Sequence, residues 1–403
     1  REYTPPANDV ALEAIVGPIQ PFASGNTTVY LRARNNGADT LRSFTVNWSV
    51  NGSSQTAYNW TGSLPSGQSI DSLPIGTFSF QPATYHQVQA VGSLPNGQPD
   101  ARPQNDTTRM DSLYPALIGG YTIGPNSADF TSFTEATRAL ERGGMLGSVL
   151  FNVQDGTYQE HISLGSILGN SPQDTIVFQS INQDSAKVTL ENSTSNPLFT
   201  LNGPSHLTFQ NLTLRHTGGR LLVLKGSTRD VRIRKVHFLQ SPSATSGNYV
   251  GLTLESANRH DSVRVIRSQF DNGGYGIDAY GPLYNHTKNF QVRNCRFNEQ
   301  QDGAIYLSEF DQVTITDNII QNSQAPNFSY EGIELNDLDG LNLTGNQVFA
   351  SGGERAMKLF DVDGTSGNPV LVANNFAASL DSSSNGGDGI EIDNSNYLPF
   401  YHN

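Results

Sequence analysis

The feature that most limits how this chain can fold is a repeat. Seven segments follow one rule, an apolar residue, four others, then a second apolar residue: "FQNLTL", "IRKVHF", "VIRSQF", "VRNCRF", "ITDNII", "LTGNQV" and "LVANNF". They end at Leu214, Phe238, Phe270, Phe297, Ile320, Val348 and Phe376, at intervals of 23 to 32 residues. Two residues before each end stand Leu212, Val236, Ser268, Cys295, Asn318, Asn346 and Asn374. The later members are small or amide residues, as expected where a chain bends and stacks on copies of itself, because stacked strands build amide ladders. After each segment comes a second motif, two apolar residues around a variable one. Its centres are Val223, Thr253, Asp278, Tyr306, Glu334, Lys358 and Glu391, and its flanking pairs run from Leu222/Leu224 through Ile305/Leu307 to Ile390/Ile392.

Neighbours in a strand point to opposite faces, so each flanking pair faces a core and each centre faces out. If every coil lies on the one before, equivalent positions recur about every 4.8 Å. One irregular coil of about 25–30 residues per step is the signature of a parallel β-helix. Helical repeats of similar period do not fit. No segment after residue 145 keeps a 3.6-residue period, and Asn and Gly punctuate the chain throughout. The sequence therefore predicts one internal column made of Ile277, Ile305, Ile333, Met357 and Ile390.

Residues 8–105 read differently, as a β-sandwich. "TTVYLRARNNG" alternates Val29, Leu31 and Ala33, and "FTVNWSVNG" alternates Phe44, Val46, Trp48 and Val50 before a two-residue turn at Asn51-Gly52. Such alternation buries one face of each sheet. "PDARPQNDTT" reads as an exit linker, which divides the chain into 1–107 and 108–403. In "DFTSFTEATRALERGG", Ser132 and Glu135 form a capping box, Phe133, Ala136 and Leu140 share a face, and Gly143-Gly144 stops a helix near 132–142. A lone amphipathic helix before a stack of strands has the open end of that stack to cover.

Composition narrows the partners. The formal net charge is −13 and Lys and Arg form no cluster, so neither nucleic acid nor an anionic membrane is an expected partner. No run of 18 apolar residues exists, so the chain is not expected to span a membrane. The single Cys295 allows no internal disulfide and no cysteine-ligated zinc site, and its ladder position reads as buried and inert.

The stretch "VYLRARNNG…FTVNWSVNG…LPSGQS" resembles the immunoglobulin-like CARDB modules of secreted bacterial proteins, over about a quarter of the chain. From about residue 118 onward the chain resembles the right-handed β-helix of the pectate-lyase-like superfamily. "YTIGPNSADFTSFTEATRALERGGMLGSVLFNVQDGTYQEHISL" resembles the start of such a helix in large proteins that Bacteroidota export by the type IX route. The resemblances imply an all-β protein: an immunoglobulin-like sandwich, then a right-handed parallel β-helix with a short N-terminal capping helix. They also imply a secreted or cell-surface location. The sorting domain usual for such cargo is not in this sequence. "DGIEIDNSNYLPFYHN" completes a core-facing strand, and the expectation is that further sequence, another surface protein or a further copy covers that end.

The superfamily holds lyases, hydrolases, esterases and non-catalytic adhesins, and fold alone does not choose. The polygalacturonase motifs Asn-Thr-Asp, Asp-Asp and Gly-His-Gly are absent, as is the pectate-lyase Arg-x-Pro-x-x-Arg. "GTYQE" (156–160) matches a pectin-methylesterase motif, but two of the catalytic stretches of that family are missing, so it reads as the turn and first strand of a coil.

What remains is the outer face. One row is Asp278, Tyr306, Glu334, Lys358 and Glu391. Two residues on runs Tyr280, Ser308, Asn336, Phe360 and Asp393. Aromatics beside carboxylates and amides suit a sugar, so Asp278, Tyr280, Tyr306, Asn336, Phe360, Glu391 and Asp393 are the candidate ligand contacts. Asp278, Glu334 and Lys358 are the candidate catalytic groups. Asp278 and Glu334 lie two coils apart, roughly 9–10 Å, a spacing compatible with an inverting glycosidase. The plainer reading is that any β-helix must place polar groups outside, and that Glu334 and Lys358 form a cross-strand ion pair. The eight His show no metal-ligand spacing, and no metal site is expected. Calcium is considered at Asp/Asn-rich turns such as "DVDGTSGN" (361–368), which begins like an EF-hand loop but lacks its last glutamate and any flanking helices, so a solvated turn is preferred. The function read from the sequence is a non-catalytic, extracellular structural or adhesive cell-surface protein that presents a rigid β-helix face, as part of a longer fibre or surface assembly, with polysaccharide or glycan as a candidate partner. The alternative is a polysaccharide lyase or glycoside hydrolase working in the same groove.

Overall fold

The computed structural model describes residues 5–194, 197–244, 247–323, 330–351, 355–365, 367–379, 387–396 and 399–403. The chain forms two compact units, Arg1–Ile118 with Ala139–Leu146, and Gly119–Arg138 with Gly147–Asn403.

The first unit is an antiparallel sandwich. Val10–Gly17, Gly25–Asn35 and Ser69–Phe80 make one sheet. Leu41–Val50 is the centre of the other, paired with His86–Ser93, Tyr58–Leu64 and Ser53–Ser54. The alternating residues Val29, Leu31, Ala33, Phe44, Val46, Trp48 and Val50 are all buried between them. Asn51 and Gly52 both take positive φ, 50° and 78°, the twist a tight hairpin needs. The stretch read as a linker continues into a strand, for Thr107–Leu113 pairs with His86–Ser93. Its core contacts are only the partly buried Met110 and the buried Leu113, which makes its alternation hard to see in sequence.

The second unit is a parallel β-solenoid of about nine turns. The predicted column is present. Leu222, Leu252, Ile277, Ile305, Ile333, Met357 and Ile390 are successive register partners, all fully buried except Ile390, which is half-buried. A second column runs through Leu214, Phe238, Phe270, Phe297, Ile320 and Val348. In it Phe270 stacks on Phe238 at 4.4 Å and on Phe297 at 4.6 Å. Each ring thus serves as the floor for the next, which is what a fixed register on one apolar face provides.

The coils turn at a repeated left-handed residue: Asn211, Lys235, Arg267, Asn294, Asp317, Gly345 and Asn374. The N–H of each donates to a carbonyl of the following coil, as in Asn294 N to Thr316 O at 3.0 Å. The last coil corrects the sequence reading. Asn374 is this corner, while Asn375 holds the ladder position. Gln347 pairs with Phe376 and Val348 with Ala377, so Phe376 lies outside the column and is 53% exposed. Leu371 and Val372 are adjacent and both apolar, which leaves the register open to a one-residue error, and such an error inverts every side chain.

At the other end, Phe133 of the helix Phe133–Gly143 stacks on Phe178 at 5.8 Å and meets Tyr158 edge-on at 5.3 Å. Glu135 N donates to Ser132 Oγ at 3.1 Å, but the Glu135 carboxylate turns to Thr131. The free N–H groups of Phe133 and Thr134 donate instead to Glu160, at 2.9 and 2.7 Å. A carboxylate at a helix N-terminus satisfies both donors and complements the dipole. Among the described residues no helix is long and apolar enough to cross a membrane.

Candidate functional site

Strict alternation would turn residues 275, 331 and 355 inward. A column of small residues prevents this. Gly251, Gly276, Ala304, Gly332 and Ala356 follow one another coil by coil, and a Cβ on Gly332 would lie 2.4 Å from Val348 Cγ1. Since the small residue and the apolar residue after it both face the core, the residue before them turns out. Tyr275, Gly303, Glu331 and Arg355 are register partners along that extra row. The sequence reading missed it. The signal was the Gly or Ala before each core Ile or Met.

The predicted outer rows exist as read. Asp278, Tyr306, Glu334, Lys358 and Glu391 are successive partners, and so are Tyr280, Ser308, Asn336, Phe360 and Asp393. Among the seven motif centres the face opens at Asp278, because the earlier centres Val223 and Thr253 are buried. Both were expected to face solvent. Among the neighbours of this face, Gly247 packs against Asp302 and Tyr275.

The aromatic side of the face is a group of three tyrosines. Tyr280 and Tyr306 have ring centroids 5.1 Å apart at 44°, and Tyr275 meets Tyr306 at 6.4 Å. Tyr280 and Phe360 are each 39% exposed. Asp278 stands beside them. Burial pushes its carboxyl up to about 6, with Arg220 and a hydrogen bond from Tyr280 opposing.

The ionic side joins Glu331, Glu334, Arg355, Lys358 and Glu391. Lys358 Nζ lies 3.0 Å from Glu334 Oε1 and 3.4 Å from Glu331 Oε1. Arg355 Nη1 is 3.0 Å from Glu331 Oε1, and its Nε pairs with Glu391. Asn336 Nδ2 donates to Glu334 Oε1 at 3.1 Å and to the Tyr306 hydroxyl at 3.2 Å. Burial, then Glu334, pushes the Glu331 carboxyl up to about 7. Burial would raise Glu334 as well, but bonds from Glu331, Asn336 and Lys358 outweigh it and hold Glu334 below its ordinary value. Glu331 is therefore the member of the pair that takes up a proton first as pH falls. Lys358 is held charged by both glutamates and is no free base.

Metal-ligand groups lie at a different corner. Asp361 and Asp363, from the stretch considered for calcium, line a cavity of about 600 Å³ with His286, Asp337, Asp339 and Asn396; Ser366 of that stretch lies outside the described residues. Asp363 Oδ1 already accepts from Asn396 N at 2.8 Å. His286, Glu309 and Asp337 bring ligand atoms within 4.8 Å of one another. These three come from separate coils, so sequence spacing could not show them. His286 and Lys288 already pair with Glu309 and Asp311 here, and acidic groups so paired define no metal centre on their own. Cys295 is buried, and its thiol is pushed up to about 12 by burial, which makes it a poor nucleophile.

With this geometry in hand, the likenesses can be stated. A family model described as a right handed beta helix region matches residues 198–376. No curated protein matches the chain. Among solved structures, the CARDB domain of a Pyrococcus furiosus protein, in complex with di-metal ions, is 19% identical, with a TM-score of 0.23, and the match covers 28% of this chain and 91% of that one. A rhamnogalacturonan lyase is 10% identical over 70% of this chain and 88% of its own, at a TM-score of 0.42. A pectate lyase is 14% identical over 70% and 79%, at 0.39. The class defined here is thus an all-β protein, a sandwich followed by a right-handed β-helix. Likeness of this degree says nothing about activity, which belongs to sites rather than folds.

Proposed function

We propose that this protein binds a polysaccharide along the outer face of its β-helix, over Tyr275, Asp278, Tyr280, Tyr306, Glu334 and Asn336. The observation that carries this reading is the Tyr280–Tyr306 pair, two rings 5.1 Å apart on adjacent coils, with Asp278 beside it and Asn336 bonded to it. A sugar lays its apolar face on such rings and gives its hydroxyls to the flanking carboxylate and amide. Passive binding is favoured by the ionic side, where Glu331, Glu334 and Glu391 are already compensated by Arg355 and Lys358. We further take the protein to act outside the cell as a surface or adhesive protein, with the N-terminal sandwich as a spacer. The support is the resemblance of its helix start to type IX cargo.

One observation favours a second reading, hydrolysis. Asp278 is pushed up to about 6 while Glu334 is held low. Carboxyls displaced in opposite directions are what an acid and a base require. Two coils separate them, about 9–10 Å, which leaves room for a water.

The test is a panel of neutral and acidic polysaccharides offered to the full chain, read for binding and for new reducing ends or unsaturated products. Binding without product supports the first reading. Product that disappears in both Asp278→Asn and Glu334→Gln supports the second. No binding to any member overturns both.

A further inference from the structure

The first unit buries two carboxylates that its described residues satisfy only in part. The Asp9 side chain, just ahead of Val10–Gly17, is 0% exposed, and Asp106, just ahead of Thr107–Leu113, is 5% exposed. Asp9 Oδ1 accepts from Asn105 Nδ2 at 2.9 Å. Asp9 Oδ2, Asn105 Oδ1 and Asp106 Oδ1 are buried with no hydrogen-bond partner. Asp100 sits beside them with both oxygens engaged: Oδ2 accepts from Val10 N at 2.8 Å and Oδ1 from Arg102 N at 2.7 Å. Arg102 Nε lies 3.8 Å from Asp9 Oδ2, an ion pair too long for a hydrogen bond.

Leaving a buried carboxylate without a partner is costly, and a buried group of like charges more so. The segments that meet here are far apart in sequence. The Asp9 carbonyl accepts from Asn36 N at 2.9 Å and Gly37 N at 3.1 Å, and the Asp106 carbonyl from Gly92 N at 2.8 Å. Backbone bonds thus fix the position of both aspartates, and their free oxygens are not loose surface groups.

We propose that Asp9 Oδ2, Asn105 Oδ1 and Asp106 Oδ1 are ligands of a calcium ion, with Asp100 holding the loop 100–106 and adding charge beside it. The donors are all hard oxygens, carboxylate and amide, with no imidazole or thiolate among them. That set selects calcium over zinc or copper. Backbone carbonyls and water complete the six to eight oxygens calcium takes. The ion ties residue 9 to the loop that enters the last sandwich strand.

Both tryptophans, Trp48 and Trp60, lie in the sandwich, so tryptophan fluorescence follows this unit alone in the full chain. Thermal unfolding is recorded this way in EDTA, and in millimolar Ca²⁺, Mg²⁺ or Zn²⁺. The expected result is a midpoint raised by about 5 °C or more in Ca²⁺ over EDTA, and less by the other ions. Asp106→Asn should match or exceed the unsubstituted protein in EDTA and fall below it in Ca²⁺. No difference between Ca²⁺ and EDTA overturns the proposal. So does an Asp106→Asn midpoint above the unsubstituted protein in both buffers, which would mean that Asp106 is merely protonated.

Discussion

Asn346 Nδ2 donates to Asn375 Oδ1 at 2.9 Å, one coil further along the β-helix. The same two atoms join Asn318 to Asn346, and Asn375 to Asn403, again at 2.9 Å. Each ladder oxygen also takes the N–H of the rung before it, as Asn346 Oδ1 does from Asn318 N at 3.1 Å. Each amide nitrogen also reaches a carbonyl, as Asn346 does to Ile315 at 2.9 Å. The interior is therefore polar at this corner, yet fully paired.

Removing one rung orphans several buried groups at once, at about 1–3 kcal/mol for each. Asn346→Ala should cost the β-helix about 3 kcal/mol or more, and Asn375→Ala a similar amount. Asn374→Ala should cost only about 1 kcal/mol, the strain of alanine in a left-handed corner. Urea unfolding followed by far-UV circular dichroism separates these. Equal losses at 374 and 375 would return the ladder to the place the sequence suggested.

The apolar columns were legible because each recurs once per coil and is filled mostly by large aliphatic or aromatic residues, with exceptions such as Ala279 and Ala377. Three things were not. The last coil was misread because Leu371-Val372 offers two registers. The row Tyr275, Glu331, Arg355 was hidden because alternation breaks at the small residues Gly276, Gly332 and Ala356. The His286, Glu309, Asp337 group was invisible because its members meet only after three coils have stacked.

The register of that last coil makes its own prediction. Val372 is fully buried and Leu371 is 38% exposed. Val372→Ala should cost about 1–2 kcal/mol, whereas Leu371→Ala should stay within about 0.5 kcal/mol. Chemical denaturation of the two variants side by side decides it. The reverse order would place Leu371 in the core.

Asp278 links stability to pH. Its carboxyl titrates at about 6 in the folded chain against an ordinary 3.8. A raised carboxylate means that the folded state holds its proton more tightly than the unfolded one. The contribution of Asp278 to stability is then highest below pH 3.8, is lost as pH climbs to 6, and stays lower above that. Asp278→Asn removes the buried charge. It should stabilise the β-helix by about 1–2 kcal/mol at pH 7.5, after allowance for partial solvation, and by almost nothing at pH 4. Urea midpoints at pH 4, 5, 6 and 7.5 test this. A variant equally stabilised at every pH would show that packing, not charge, is responsible.

Tyr280 tests the binding reading most directly. Its ring is 39% exposed and leans on Tyr306, so it offers an apolar platform without holding the core together. On whichever polysaccharide the panel shows to bind best, Tyr280→Ala should weaken affinity by about 3- to 12-fold, the worth of one ring contact. Tyr280→Phe keeps the ring and should bind nearly as well as tyrosine. Urea stability should fall by about 0.5–2 kcal/mol in both variants, because each loses the hydrogen bond that Tyr280 gives Asp278, and the β-helix should stay folded. Titration calorimetry with the three proteins gives the comparison. If Tyr280→Phe loses as much as Tyr280→Ala, the hydroxyl rather than the ring meets the sugar. If neither loses anything, the chain binds elsewhere, and the stacked tyrosines serve only the fold.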